Sequence, residues 1–173
     1  MTCIPKENGK ARKISFVFMV FAVLLWMTSA LEFSFRAVVQ IAAIALMVVG
    51  LQILIRFGLS KFRYVLEDDD SGDTDLLIFK AQGSREAKVA HVALSKVKAI
   101  FKLTDEPDFQ KKYGTTANRF NYCQNMGKDV QWLLLFSDGD KLIEVRFEPD
   151  EEMVAAINNR IGTADVGGRG FAM

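Results

Sequence analysis

Few residues of this chain could take part in catalysis or bind a metal. The sequence holds one histidine, His91, and two cysteines, Cys3 and Cys123. One chain therefore cannot supply a two-histidine metal site, and the two cysteines lack the spacing of a zinc motif or a disulfide framework. The sequence has no nucleophile elbow and no phosphate-binding glycine loop. We predict no catalytic residue, no metal site and no cofactor.

His91 and Cys123 each have a structural interpretation. His91 stands between apolar residues of a predicted strand, which is typical of a packed or sheet-edge side chain. Cys123 is a lone thiol, and such a thiol is usually a buried structural residue. A membrane enzyme that uses either residue is the least favoured of our three functional hypotheses.

The acidic run Glu67–Asp73 is the other candidate ligand set. Read as a calcium-binding loop of the EF-hand type, it would begin at Glu67. The twelfth position would then be Ile78, where a bidentate glutamate is required. We therefore predict a solvated turn rather than a calcium site.

Two uncharged segments precede these candidates. Residues 14–31 and 37–55 hold 18 and 19 residues without a charge. A helix of about 20 apolar residues spans the hydrocarbon core of a bilayer, and backbone groups in lipid must pair within the segment. The short link between the segments forces them to run antiparallel. The sequence thus predicts a transmembrane helical hairpin over residues 14–57.

A cleaved signal peptide is the alternative for the first segment. Thr28–Ala30 resembles a small-residue cleavage site, and basic residues precede the segment. The apolar run is longer than the roughly 7–15 residues of a signal peptide, and a second run follows at once. We therefore favour a retained helix.

Basic residues flank the hairpin and predict its orientation. The turn carries one glutamate and one arginine. The two flanks carry seven basic residues, namely Lys6, Lys10, Arg12, Lys13, Arg56, Lys61 and Arg63. Because positive residues favour the cytoplasmic side, we predict a multi-pass protein of the cell membrane. Its basic N-terminus (residues 1–13) and its C-terminal part would both be cytoplasmic.

The second apolar segment contains two polar residues, Gln40 and Gln52, which we expect to face the other helix or the membrane interface. Neither is ionisable, so no ion or proton pathway is predicted. Small residues allow helices to pack closely. The candidates for this role are Ala42, Ala43, Ala45 and Gly50.

Charge divides the chain into two parts. The first 57 residues hold 8 charged side chains, whereas the remainder holds 35 and has a net charge of −3. The whole chain has a formal charge of +1, which excludes a strongly basic nucleic-acid binder. The first part is membrane-like and the second is typical of a water-soluble domain.

The second part shows the alternating hydrophobicity of short strands. Seven strands are predicted: Phe62–Glu67, Asp75–Ala81, Ala87–Leu94, Lys96–Leu103, Asn118–Gln124, Gln131–Ser137 and Lys141–Phe147. In the fourth strand, Val97, Ala99, Phe101 and Leu103 are expected to share one face.

A helix is predicted after Pro149, because Met153, Val154, Ile157 and Ile161 recur at helical spacing. Its expected end is Gly162. Residues 163–173 show no periodicity and are predicted to be a disordered tail.

Seven strands followed by one helix resemble the pleckstrin-homology (PH) order. The segments Val92–Ile100 and Val145–Pro149 carry a resemblance to bacterial PH-like domains over residues 62–161. The predicted fold is therefore a two-helix transmembrane hairpin followed by a mainly-β PH-like barrel over residues 61–162. PH modules that bind phosphoinositides use basic residues in the first hairpin loop. The acidic Glu67–Asp73 stands there instead, so phosphoinositide binding is not expected.

A meander of strands that starts at the membrane returns its even-numbered strands to the membrane. This arrangement predicts six cations that contact the headgroups: Lys61, Arg63, Arg85, Lys102, Lys111 and Lys112. Each could gain about 1 kcal/mol at an anionic leaflet. Randomly placed surface charge is the competing interpretation.

The favoured functional hypothesis is a non-enzymatic, membrane-tethered PH-like module at the cytoplasmic face of a bacterial membrane. Its role would be scaffolding or assembly, with the lipid bilayer as one partner and homo-oligomerisation as an option that the resemblance implies. The alternative is an accessory subunit of a larger membrane complex, such as a transporter or secretion system.

Overall fold

The computed structural model describes residues 1–29, 35–68, 72–105, 113–127 and 130–167. The long helices in this part of the chain are α1 (Lys10–Thr28), α2 (Arg36–Ile53) and α3 (Glu151–Gly167). The strands are β1 (Thr2–Cys3), β2 (Ser60–Asp68), β3 (Thr74–Gln82), β4 (Arg85–Ala93), β5 (Val97–Lys102), β6 (Asn118–Asn121), β7 (Trp132–Asp138) and β8 (Lys141–Phe147). A π-helical turn, Leu54–Leu59, joins α2 to β2.

Helices α1 and α2 form an antiparallel hairpin whose contact is made by small residues. Ser15 and Ala22 on α1 are buried, as are Ala43 and Gly50 on α2. The Ser15 hydroxyl donates a hydrogen bond to the Gly50 carbonyl oxygen at 2.7 Å. A small side chain at each position lets the two backbones approach, as in helix pairs within membranes.

The expectations for individual residues of α2 are met in part. Ala43 and Gly50 lie in the contact, whereas Ala42 and Ala45 are exposed. The Gln40 amide donates to the Ser29 hydroxyl oxygen of α1 at 3.5 Å, so Gln40 faces the other helix as predicted. Gln52 is exposed.

Two helices, Lys10–Thr28 and Arg36–Leu59, are long enough and apolar enough to cross a membrane. In the most apolar 18-residue stretch of each helix, only 17% and 11% of the residues are buried within the structure. A core helix of a soluble protein would bury most of its apolar side chains. Here the apolar side chains, such as Phe16, Leu24 and Ile41, point outward.

The first sheet has the strand order β1-β2-β3-β4 and is antiparallel throughout. Strands β2, β3 and β4 confirm the first three predicted strands. Strand β1 was not predicted, so the described residues contain eight strands rather than seven. It pairs Thr2 with Val65 and Cys3 with Tyr64. A strand of two residues is too short to show an alternating pattern, which explains the omission.

The second sheet has the order β5-β7-β8-β6, and its edge strand β6 runs parallel to β8. A short 3₁₀ turn, Leu94–Lys96, separates β4 from β5 and places them in different sheets. The predicted continuous meander therefore ends after β4. The prediction that even-numbered strands return to the hairpin, which placed Lys102 near the membrane, therefore does not apply to the second sheet.

The predicted orientation of β5 is wrong for part of the strand. The pairing of β5 with β7 shifts register between Val97 and Ala99. Such a bulge changes which face the following side chains occupy. Val97 and Ile100 pack in the main core, whereas Ala99 and Phe101 pack in a second cluster with Leu133 and Leu135.

The main core lies between the two sheets and α3. The Tyr64 and Phe147 rings meet edge to face, with centroids 5.4 Å apart. Met153 and Ile157 of α3 are fully buried in this cluster, as their helical spacing predicts. The helix continues past Gly162 to Gly167, so the predicted tail overlaps it, and residues 168–173 lie outside the described residues.

Replacement of Gly50 by leucine should destabilise the hairpin. A Cβ atom at position 50 would lie 3.1 Å from Phe18 Cβ and 3.3 Å from the Ser15 carbonyl oxygen. A larger side chain must therefore separate the helices, at an expected cost of about 1–3 kcal/mol. The measurement is the thermal unfolding midpoint of the full chain in detergent. Ala45→Leu is the matched control because Ala45 is exposed, and equal midpoints for the two variants would contradict this packing.

Candidate functional site

The loop Asn121–Asn125, which begins at the last residue of β6, connects the helical hairpin to the sheets. Arg56, in the π turn that ends α2, donates to the Asn121 carbonyl oxygen at 2.5 Å and to the Cys123 carbonyl oxygen at 3.5 Å. The Arg56 guanidinium also lies 5.4 Å from the centre of the Phe62 ring. One end of the loop thus holds the end of α2.

The other end of the loop holds the segment that leads into α1. The Asn125 amide nitrogen donates to the Lys6 carbonyl oxygen at 2.9 Å, and its Oδ1 accepts from the Asn8 backbone N–H at 2.8 Å. We call residues 1–9 the N-terminal strap, because they run from the edge of the first sheet to the start of α1. Both helices are therefore attached to the same five-residue loop.

The loop is in turn held by a buried carboxylate at the end of β8. Glu148 accepts from the Asn125 backbone N–H at 2.9 Å and from its side-chain amide at 2.8 Å. Burial raises the pKa of the Glu148 carboxyl above its usual range, and the hydrogen bonds from Asn125 partly oppose that shift. A buried carboxylate needs such donors, so Glu148 specifies where the loop must lie.

A tyrosine hydroxyl completes the connection to the first sheet. Tyr64 Oη accepts from the Glu148 backbone N–H at 3.1 Å and donates to the Tyr122 carbonyl oxygen at 3.0 Å. Burial raises the pKa of this phenol, which therefore stays protonated. Strand β2, strand β8 and the loop are thus fixed to one another by a single hydroxyl.

A groove of about 500 Å³ lies beside this network. Its lining comes from the N-terminal strap, β5, β7 and the start of α3. Trp132 lies in the groove with the Lys102 ammonium 5.7 Å from its ring centre. Lys6 and Lys102 contribute positive charge, and Asp150 and Glu151 contribute negative charge. The groove therefore combines apolar surface with charges of both signs.

The six predicted headgroup cations do not form one cluster. Lys61 and Arg85 lie at the end of the first sheet where β2 leaves the hairpin. Arg63 pairs with Glu86 at 2.9 Å and stacks over the Phe79 ring, so its charge is already partnered. Lys102 lies in the groove. The last two, Lys111 and Lys112, lie outside the described residues.

The two candidate catalytic residues, His91 and Cys123, lie in different environments. His91 is exposed on edge strand β4, with Nε2 2.6 Å from Oδ2 of Asp75. Cys123 is completely buried, and burial raises the pKa of its thiol. The thiolate is the reactive form of cysteine, and the raised pKa disfavours it. The environment of Cys123 is therefore that of a structural residue. Among the described residues, no group of three His, Cys, Asp or Glu side chains could hold a metal ion.

The acidic turn is described only at its ends. Asp68 accepts from the Thr74 hydroxyl at 2.7 Å and also contacts Arg160 of α3. The hydrogen bond from Thr74 and the charge of Arg160 lower the pKa of Asp68. Residues 69–71 of the predicted solvated turn lie outside the described residues.

The residues that form the junction between the hairpin and the sheets were not identified from the sequence. Arg56 was counted only as a positive flank of the hairpin, and Asn125 and Glu148 were assigned no role. A polar residue in a loop gives no sequence signal that it will be buried.

Comparison with protein families gives one match. A family model described as a bacterial PH-like domain (DUF6106) matches residues 4–164. The match includes most of the N-terminal strap, both helices of the hairpin and strands β2 to β8. No curated protein and no solved structure matches the chain.

Asn125→Ala should loosen the junction. The substitution removes the donor to Glu148 Oε2 and the acceptor for the Asn8 N–H. A buried charged group that loses a partner costs about 2–3 kcal/mol, so we expect a lower unfolding midpoint for the full chain in detergent. Asn118→Ala, at an exposed position on β6, is the matched control. An Asn125 variant as stable as the Asn118 variant would show that the loop does not hold the junction.

Proposed function

Because the chain belongs to the bacterial PH-like family whose model covers residues 4–164, we propose that it is a membrane-tethered PH-like module. In this proposal α1 and α2 cross the membrane, and the two sheets with α3 form a PH-like barrel at the cytoplasmic face. The module acts without catalysis, as a scaffold that holds a second protein or a second copy of itself at the membrane.

The observation that carries the proposal is the double attachment to the loop Asn121–Asn125. The segments that flank the hairpin both contact this loop, the π turn after α2 through Arg56 and the strap before α1 through Asn125. A body held at two points cannot swing freely about a single linker. Such a body presents one fixed surface at a fixed height above the bilayer, which is what a scaffold needs.

The N-terminal strap supports retention of α1. Removal of α1 as a signal peptide would also remove β1 from the edge of β2 and take Lys6 and Asn8 from the junction. Both ends of the hairpin lie at the same end of the sheets. The basic flanks then favour the cytoplasm for that side.

The candidate catalytic residues support a non-enzymatic role. The Cys123 thiol is buried and its pKa is raised. His91 lies on an exposed strand edge, where it contacts Asp75. Neither residue lines the groove, which is the surface we assign to the scaffolded partner.

The headgroup contact predicted from sequence is revised within this proposal. Lys61 and Arg85 remain as cations at the hairpin end of the first sheet. Arg63 is neutralised by Glu86, and Lys102 is assigned to the groove rather than to the lipid. The acidic residues near Asp68 leave no basis for phosphoinositide recognition.

Cysteine labelling in intact and lysed cells tests the topology. We expect a membrane-impermeant maleimide to label Phe35→Cys in intact cells and Asp140→Cys only after lysis. The native thiols provide a low background because both are buried, and burial raises the pKa of Cys3 to about 11.

Photo-crosslinking in native membranes from position 102 then tests the scaffold, with position 140 as the matched control. A discrete adduct at position 102 alone is expected, whereas no adduct there would contradict the scaffold.

A further inference from the structure

Phe120 of the second sheet packs in neither hydrophobic cluster. Phe120 lies on edge strand β6 and is 42% exposed. All four residues of β6 are exposed. An unpaired strand edge that carries an exposed aromatic ring is a site for association. The surroundings of Phe120 therefore indicate what covers it.

Phe120 is the outer member of a row of rings that begins at the hairpin. The Phe120 and Tyr122 rings are nearly parallel, at 6.2 Å and 6°. Tyr122 in turn meets Phe62 edge to face at 6.1 Å, and the Arg56 guanidinium lies over Phe62. The row thus connects the end of α2 to the exposed ring.

The position of Phe120 relative to the membrane follows from its neighbour Asn121, which Arg56 contacts. Arg56 comes directly after Ile55, the last residue of the uncharged run. Long cationic side chains at helix ends extend into the headgroup layer. The Arg56 guanidinium reaches the Asn121 carbonyl oxygen at 2.5 Å, and Phe120 is one Cα step of about 3.8 Å from Asn121. With α2 crossing the membrane as proposed, Phe120 would therefore lie at the level of the headgroups.

We propose that Phe120, stacked on Tyr122, inserts into the headgroup layer of the leaflet next to the hairpin end of the sheets. Strand β6 is then a membrane contact in addition to the two helices. This inference rests on the proposed membrane crossing of α1 and α2. Aromatic side chains favour the membrane interface. Together with the hairpin, the Phe120 contact fixes the tilt of the sheets.

Spin labels on single cysteines in the full chain, reconstituted in phosphatidylglycerol–phosphatidylethanolamine nanodiscs, test the contact. Collisions with oxygen report lipid, and collisions with a water-soluble nickel complex report water. The labelled positions are 120, 47 and 140. Met47 is an exposed residue of α2, and Asp140 lies in the turn at the opposite end of the second sheet from Asn121. The unsubstituted chain gives the background from the buried native thiols.

We expect the oxygen-to-nickel ratio to be highest at position 47, intermediate at 120 and lowest at 140. A ratio at 120 equal to that at 140, with a high ratio at 47, would overturn the inference and leave the membrane proposal intact. A low ratio at 47 would instead refute the membrane proposal and the inference with it.

A second variant keeps the test independent of the label at position 120. Asn118 lies two residues before Phe120 on the same side of β6, so a label at 118 reports the depth of the strand with Phe120 intact. Phe120→Ser in this background should lower the oxygen-to-nickel ratio at 118. An unchanged ratio would show that the ring does not hold the strand at the membrane.

Discussion

The arrangement of the whole chain depends on one buried pair, Asn125 and Glu148. Glu148 is 4% exposed and must find donors, and Asn125 supplies two. The remaining groups of the Asn125 side chain bind the strap that leads into α1. A single requirement, that a buried carboxylate be satisfied, thereby places a loop, a strand end and the start of α1 in fixed relation.

This constraint explains why the helices and the sheets act as one unit. The loop that Asn125 anchors also accepts hydrogen bonds from Arg56 at the end of α2. The π turn between α2 and β2 adds a direct covalent connection of six residues. A tether of flexible residues would allow the domain to rotate, whereas two attachments beside a short turn do not. The groove and the Phe120 edge are therefore held in a defined orientation.

Sequence reasoning succeeded where one strong physical demand acts on many consecutive residues. The two long apolar helices follow from the length of the uncharged segments, and seven strands and α3 follow from alternation and helical spacing. It failed where a single residue decides. The bulge between Val97 and Ala99 reverses a strand face without changing the pattern, and β1 is too short to show one. Asn125 could not be identified because its burial depends on Lys6, more than a hundred positions away in sequence.

The most direct test of this account is a distance distribution between spin labels on Met47→Cys of α2 and Asp140→Cys of the β7–β8 turn, measured by pulsed electron resonance in nanodiscs. The account predicts one narrow distribution for the full chain, because the loop Asn121–Asn125 fixes the sheets to both helices. A broad or multiple distribution would mean that the sheets move independently of the hairpin, and it would contradict the account.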